Sequence, residues 1–142
     1  MINVPNGIEV VHTPSYVYAS INQKDPAKRG VYQLEFNTTV IAINEDLEIV
    51  EFGGYDLIND EWVLYTVYDR PFNKEEFSSW YGCENGILKK GVAYSDSENW
   101  IAKSDVLSGR KVKSLWYFIA KNKQGTFFKG VEIVEGVLEL EQ

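Results

Sequence analysis

Residues 31–43, VYQLEFNTTVIAI, form the segment of the sequence that decides the fold. Apolar or uncharged side chains alternate with more polar ones, with Tyr32, Leu34, Phe36, Thr38, Val40 and Ala42 on one face and Gln33, Glu35, Asn37 and Thr39 on the other. Alternation with a period of two over this length predicts a β-strand with one buried face and one solvated face. Residues 44–46 then predict a tight turn into a second strand, so the segment begins a hairpin.

Strand-like segments recur on both sides of this hairpin, at 8–12, 16–21, 62–68, 112–120, 126–134 and 137–140, and a turn-rich connector is predicted at 22–30. The aromatic share of 14% also favours pleated, half-buried surfaces. Because residues 62–68 and 112–120 are apolar on both faces, we expect central strands that are covered on each side. The sequence predicts a single all-β domain over residues 1–142. We expect a β-sandwich of about eight to ten short antiparallel strands, with a partly open β-barrel as the alternative.

One short helix is predicted near residues 73–81. Asn73 and Glu76 have the spacing of a capping box, and Gly82 suits the left-handed conformation in which many helices end. Phe77, Trp80 and Tyr81 would share one face of this helix at spacings of three and four. We therefore expect these three aromatic side chains to be buried against the sandwich.

Charge and composition exclude several classes of protein. The formal net charge of −7 argues against a nucleic-acid binder, whose surface must neutralise phosphates. No apolar run is long enough to span a membrane, so we predict no membrane association and a soluble cytoplasmic protein; a protein that has lost a signal peptide is the alternative. Acidic residues dominate positions 1–60 and basic residues dominate positions 103–129, which would suit a homo-oligomer.

Common catalytic motifs are absent from the sequence. It has no glycine-rich phosphate loop, dinucleotide fingerprint or metalloprotease helix, and we predict no catalytic residue, cofactor or metal. Cys83 is the only cysteine and His12 the only histidine, so a nucleophilic pair would require these two distant residues to meet. Carboxylates near the centre of the chain could still supply a hydrolytic pair; they are Asp69, Glu84, Asp96, Glu98 and Asp105.

A candidate binding site lies between residues 94 and 100. Tyr94, Asp96, Glu98, Asn99 and Trp100 combine flat aromatic rings with carboxylate and amide groups, which suits a saccharide or another small polar ligand. Residues 95–99 are predicted to form a loop. In the structural alternative, Tyr94 and Trp100 anchor that loop to the sandwich and Asp96 forms an Asx-turn.

The sequence therefore predicts a non-catalytic binding or protein-interaction module. Its partner would be a small polar ligand or another protein, because exposed Tyr and Trp on a rigid β scaffold also make good interface anchors. The alternative is a small carboxylate-dependent hydrolase that acts on a saccharide-like substrate.

Overall fold

The computed structural model of the protein describes residues 3–24, 27 and 30–142. The connector predicted at 22–30 lies partly outside the described residues. One α-helix lies wholly within them, α1 (Lys74–Tyr81), and a 3₁₀ turn follows it at Glu84–Gly86. The strands of the described residues are β1 (Ile8–Thr13), β2 (Tyr16–Tyr18), β3 (Ser20–Ile21), β4 (Tyr32–Ala42), β5 (Leu47–Ile58), β6 (Glu61–Leu64), β7 (Ile87–Leu88), β8 (Ala93–Ser104), β9 (Lys111–Lys121) and β10 (Phe127–Val137).

Two sheets face one another. In the four-stranded sheet, β4 pairs with β1 and β3 along one edge and with β8 along the other. The six-stranded sheet has the order β2-β10-β9-β5-β6, and β7 pairs with the first residues of β5. The pairs are antiparallel except β2 with β10, which run parallel. The predicted all-β sandwich with one short helix is confirmed, although the sequence did not predict the parallel pair.

The two sheets are joined along one edge and separate along the other. At the joined edge, the N–H of Gly7 donates to the carbonyl of Lys129 over 3.0 Å, and Gly130 packs against Ile8 so closely that a Cβ atom would lie 2.5 Å from the Ile8 carbonyl oxygen. At the other edge, within the described residues, β8 pairs only with β4 and β6 pairs only with β5. The space between the sheets is therefore accessible between β8 and β6.

Helix α1 fills one end of the space between the sheets. Asn73 and Glu76 form the predicted capping box, and Gly82 ends the helix with a φ of 62°, so the predicted helix and both its ends are confirmed. Phe77 and Tyr81 are buried as expected, whereas Trp80 is only partly buried. The rings of Phe77 and Tyr81 lie 5.4 and 5.8 Å from the ring of Phe52, at the centre of an aromatic core.

Several predicted elements differ from the structure. The strand predicted at 16–21 is divided into β2 and β3, and the strands predicted at 126–134 and 137–140 are replaced by β10, which ends at Val137. Residues 62–68 were expected to form a covered central strand, but β6 spans only Glu61–Leu64 at a sheet edge, and the Trp62 side chain is 41% exposed. Residues 95–99 were expected to form a loop, but they continue β8, which pairs with β4 over its length. Polar side chains occupy this strand because it lies at an edge where solvent reaches both faces.

Candidate functional site

A cavity of about 1000 Å³ opens between the two sheets, on the side where they are not joined. Its walls come from β5 and β9 of the six-stranded sheet, from β8 of the four-stranded sheet, from residues 65–69 and from the helix. The lining relevant to its chemistry comprises Asp56, Tyr68, Phe72, Trp80, Asp96, Glu98, Asn99, Trp100, Ala102, Arg110, Val112, Ser114 and Trp116.

Aromatic side chains form the wall nearest the helix. The rings of Phe72 and Trp80 lie 4.7 Å apart, and the rings of Phe72 and Trp116 are stacked with centroids 6.4 Å apart. Tyr68 closes this wall with its ring 5.9 Å from that of Phe72. Because the capping box fixes where α1 begins, it also fixes the position of Trp80 in the last turn of the helix. This wall offers flat apolar surface to a ligand.

Two irregularities in β8 decide where the predicted site residues point. The register of β8 against β4 shifts between Leu34 and Glu35 and again between Phe36 and Thr38. Asn99 lies opposite Phe36 and Asp96 opposite Thr38, so both share the inner face of the sheet. Trp100 lies opposite Glu35, and both line the cavity, so the lining continues past the inner face of the sheet around this bulged edge.

Four of the five predicted site residues line the cavity, and they come from one bulged strand rather than from a loop. They are Asp96, Glu98, Asn99 and Trp100. Glu98 forms an ion pair with Lys24, and the ammonium of Lys103 lies 4.4 Å from the ring centroid of Trp100. Tyr94 lies outside the lining, and its hydroxyl accepts a hydrogen bond from the N–H of Lys89 over 3.2 Å. A role of these residues in binding stays a prediction.

Asp96 combines a structural role with an unusual environment. Its Oδ1 accepts a hydrogen bond from the N–H of Glu98 over 3.0 Å, which is the Asx-turn expected in the structural alternative. Burial is the largest cause that raises its pKa above the ordinary value, and the charges of Glu98 and Glu35 raise it further. The Glu98 N–H and Lys24 act in the opposite direction. The carboxyl of Asp96 therefore gains a proton more readily than a solvated aspartate.

The sequence analysis missed a second polar group, on the opposite sheet. Ser114 is buried and its hydroxyl donates to Oδ1 of Asp56, its neighbour across the β5–β9 pair. Burial raises the pKa of Asp56, while Ser114 and Arg110 lower it. The sequence does contain an indication of this position. Ser114, Trp116 and Phe118 are spaced two residues apart, so a strand places all three on the same face.

A buried polar chain connects the joined edge of the sandwich to the cavity wall. His12 Nε2 lies 3.2 Å from the carbonyl oxygen of Glu132, which can only accept, so Nε2 carries the proton. Nδ1 of the neutral ring then accepts from the Thr38 hydroxyl over 2.9 Å, and Asn99 Nδ2 donates to the same hydroxyl over 3.0 Å. Burial lowers the pKa of His12, which favours this neutral form.

The two residues considered for nucleophilic catalysis serve other purposes. His12 is held by Thr38 and Glu132, and the Cys83 thiol donates to the carbonyl of Ile87 over 3.3 Å. Burial raises the pKa of Cys83 to about 11, so its thiol is un-ionised at neutral pH and is a poor nucleophile. Among the described residues, no group of three or more His, Cys, Asp or Glu side chains is placed to hold a metal ion.

Comparison with known proteins supports the fold. No family model matches this sequence, and no curated protein matches it. A solved structure does: a Niemann-Pick type C2 protein from Japanese carpenter ant superposes with a TM-score of 0.51, covering 95% of this chain and 92% of that one. The two folds are similar. At 13% sequence identity, the likeness concerns the arrangement of strands alone.

No helix within the described part of the chain has both the length and the apolar content needed to cross a membrane. The cytoplasmic location, the protein partner and the homo-oligomer stay predictions.

Proposed function

We propose that this protein is a non-catalytic binding module that holds a small amphipathic molecule between its two sheets. The observation that carries the proposal is the cavity of about 1000 Å³, which is walled by aromatic rings and reached through the open edge between β8 and β6. A volume of this size lies at the upper end of the range of ligand sites, roughly 300–1,000 Å³. Such sites combine mostly apolar walls with a few polar groups that orient the ligand.

The distribution of polar and apolar groups favours an amphipathic ligand over a free saccharide. Phe72, Trp80 and Trp116 offer apolar surface near the helix, whereas carboxylate and amide groups occupy β8 and the Asp56–Ser114 pair. A molecule with an apolar body and a polar end could satisfy both regions at once. A saccharide, the ligand favoured by the sequence, would use chiefly Trp100 and the polar groups of β8, and it is a distinct outcome of the experiment.

The test is binding of Nile red, a neutral dye whose fluorescence rises in apolar surroundings. We expect saturable binding to the full chain and competition by alkyl amphiphiles, but not by simple sugars. Ala102 is buried on β8 and lines the cavity, so Ala102→Phe should fill the space and weaken dye binding by at least about 10-fold. The matched control is Ala93→Phe, at an exposed position of the same strand that should leave binding within about 2-fold.

The urea midpoint of both variants should be measured, because overpacking at Ala102 costs about 1–3 kcal/mol and a folded variant is needed. Absence of saturable dye binding to the unmodified chain would refute the proposal. Competition by sugars alone would replace the amphipathic ligand with a saccharide.

A second candidate function is hydrolysis by two carboxyl groups. The observation that favours it is that burial raises the pKa of both Asp56 and Asp96, which line one cavity from opposite sheets. Carboxyl groups with such shifts are common at catalytic sites. Turnover of aryl glycosides by the unmodified chain, abolished in both Asp56→Asn and Asp96→Asn, would support this function, and absence of turnover would remove it.

A further inference from the structure

The indole N–H of Trp116 is an unused hydrogen-bond donor in the wall of the cavity. Trp116 is 8% exposed, and its Nε1 is buried without a hydrogen-bond partner among the described residues. Most buried polar groups in proteins are partnered, so an exception calls for an explanation. Trp116 lines the cavity proposed above to hold the ligand, which makes a ligand atom a natural partner.

The position of this indole is fixed by the strand beside it. Trp116 lies opposite Gly54 in the β5–β9 pair, and a Cβ atom at Gly54 would approach Cε2 of the indole to 3.2 Å. The atoms of the indole nearest that position are Cε2, Cζ2 and Cδ2, so the ring that carries the donor packs against Gly54. Only glycine leaves this space open, and a larger residue would push the indole away.

A hydrogen-bond acceptor lies two register pairs along the same strands. Asp56 faces Ser114 beyond the Tyr55–Leu115 pair, so it lies on the same face of the sheet as Trp116. Ser114 donates to one carboxyl oxygen of Asp56, and a carboxylate can accept further hydrogen bonds at both of its oxygens. Donor and acceptor therefore belong to one small area of the cavity wall.

The chemistry of this pair selects among the polar groups that a ligand could carry. A hydroxyl both accepts from an indole N–H and donates to a carboxylate. An alkylammonium could pair with Asp56 but has no lone pair for the indole, and an alkylcarboxylate would be repelled by Asp56. We propose that Trp116 Nε1 and Asp56 together bind a hydroxyl group, so that the cavity selects neutral alcohols with an apolar body. The inference rests on the proposed function of the cavity.

Arg110 favours a different ligand, one with a negative charge. It lines the cavity and its charge lowers the pKa of Asp56, so it could attract an anionic ligand instead. Probes of equal chain length and different head group separate these possibilities: 1-decanol, decanoate and decylammonium.

The Trp116 N–H is covered in the ligand-free chain, so a hydroxyl reaches it only if the indole or its neighbours move. That movement should be visible in the indole signals of the ¹⁵N-labelled chain.

The experiment titrates the full chain with the three probes at neutral pH, by Nile red displacement and by following the four indole signals. We expect decanol to bind most tightly and to shift the Trp116 signal. All three probes lose the same apolar contact in Trp116→Phe, so decanol binding should weaken by roughly 2- to 12-fold more than binding of the other two probes, the worth of one neutral hydrogen bond. The urea midpoint of this variant is measured alongside, because the substitution also removes part of a buried ring and is expected to lower stability. Trp62→Phe, outside the cavity lining, should change neither binding nor selectivity.

The outcomes are distinguishable. If none of the probes binds, both the proposed function and this inference fail. If all bind alike, or if decanoate binds best, the cavity binds amphiphiles but the hydroxyl site is refuted. Should Trp116→Phe fail to fold, its indole signal can be assigned by Phe variants of the other three tryptophans. An unmoved Trp116 signal in the presence of decanol then refutes the inference.

Discussion

Thr38 offers a direct test of the buried polar chain that joins His12 to the cavity wall. Its side chain is fully buried, and its hydroxyl both donates to His12 Nδ1 and accepts from Asn99 Nδ2. Thr38→Val removes this hydroxyl while nearly preserving the shape of the side chain. The variant therefore isolates the loss of hydrogen bonds from the opening of a cavity.

The expected magnitude follows from the two groups that lose a partner. A buried donor or acceptor left unsatisfied costs about 1–3 kcal/mol, so the loss at His12 Nδ1 and Asn99 Nδ2 together is expected to be roughly 2–6 kcal/mol. Domains of this kind unfold with a total free energy of about 5–15 kcal/mol. The variant should thus lose a large part of its stability, and its thermal midpoint should fall by about 3 °C for each kcal/mol.

Urea unfolding of Thr38→Val and of Thr39→Val measures the effect. Thr39 is the next residue of β4 and faces outward, where its hydroxyl lies 2.7 Å from that of Ser95 at an exposed site. Water can replace that bond, so the control should change the free energy of unfolding by no more than about 0.5 kcal/mol. A loss at Thr38 of less than about 1 kcal/mol, or one equal to that at Thr39, would refute the assigned network.

Two further predictions concern the helix and the cavity wall. Asn73→Ala removes the side chain that caps α1, and it should lower the free energy of unfolding in urea by about 0.5–2 kcal/mol. An unchanged free energy of unfolding would mean that the capping box contributes nothing to stability. The raised pKa of Asp96 means that the folded state holds its proton more tightly, so folding stability falls as pH rises above about 4. Asp96→Asn should therefore raise the thermal midpoint at pH 7 but not below that window, and an equal gain at both pH values would contradict this cause.

Local chemistry explains what the sequence predicted well. The alternation in residues 31–43 depends only on neighbours along one strand, and β4 spans Tyr32–Ala42 as expected. The capping box of α1 likewise lies within four residues, so both ends of the helix were predictable. Patterns of this kind need no knowledge of the remaining chain.

The features that could not be predicted from the sequence depend on pairing between distant strands. Residues 62–68 have the apolar composition of a covered strand, but nothing in them shows that β6 lies at an edge, where Trp62 is 41% exposed. The bulges of β8 arise from its register with β4, about 60 residues away, and they decide which of the predicted site residues face inward. The Asp56–Ser114 pair joins positions 58 residues apart, so neither residue stood out alone.

The polar run of β8 has a structural explanation, and the proposed function would add a second one. An edge strand with unpaired backbone groups risks pairing with another chain, and bulges and charged side chains protect it. β8 has both features, with two register shifts and the charges of Asp96, Glu98 and Lys103. The same edge forms one side of the cavity entrance, and at the opposite edge Gly130 lets β1 pack closely against β10. Under the proposed function, protection of the edge and access to the cavity make the same demand on this strand, and one set of polar side chains would serve both.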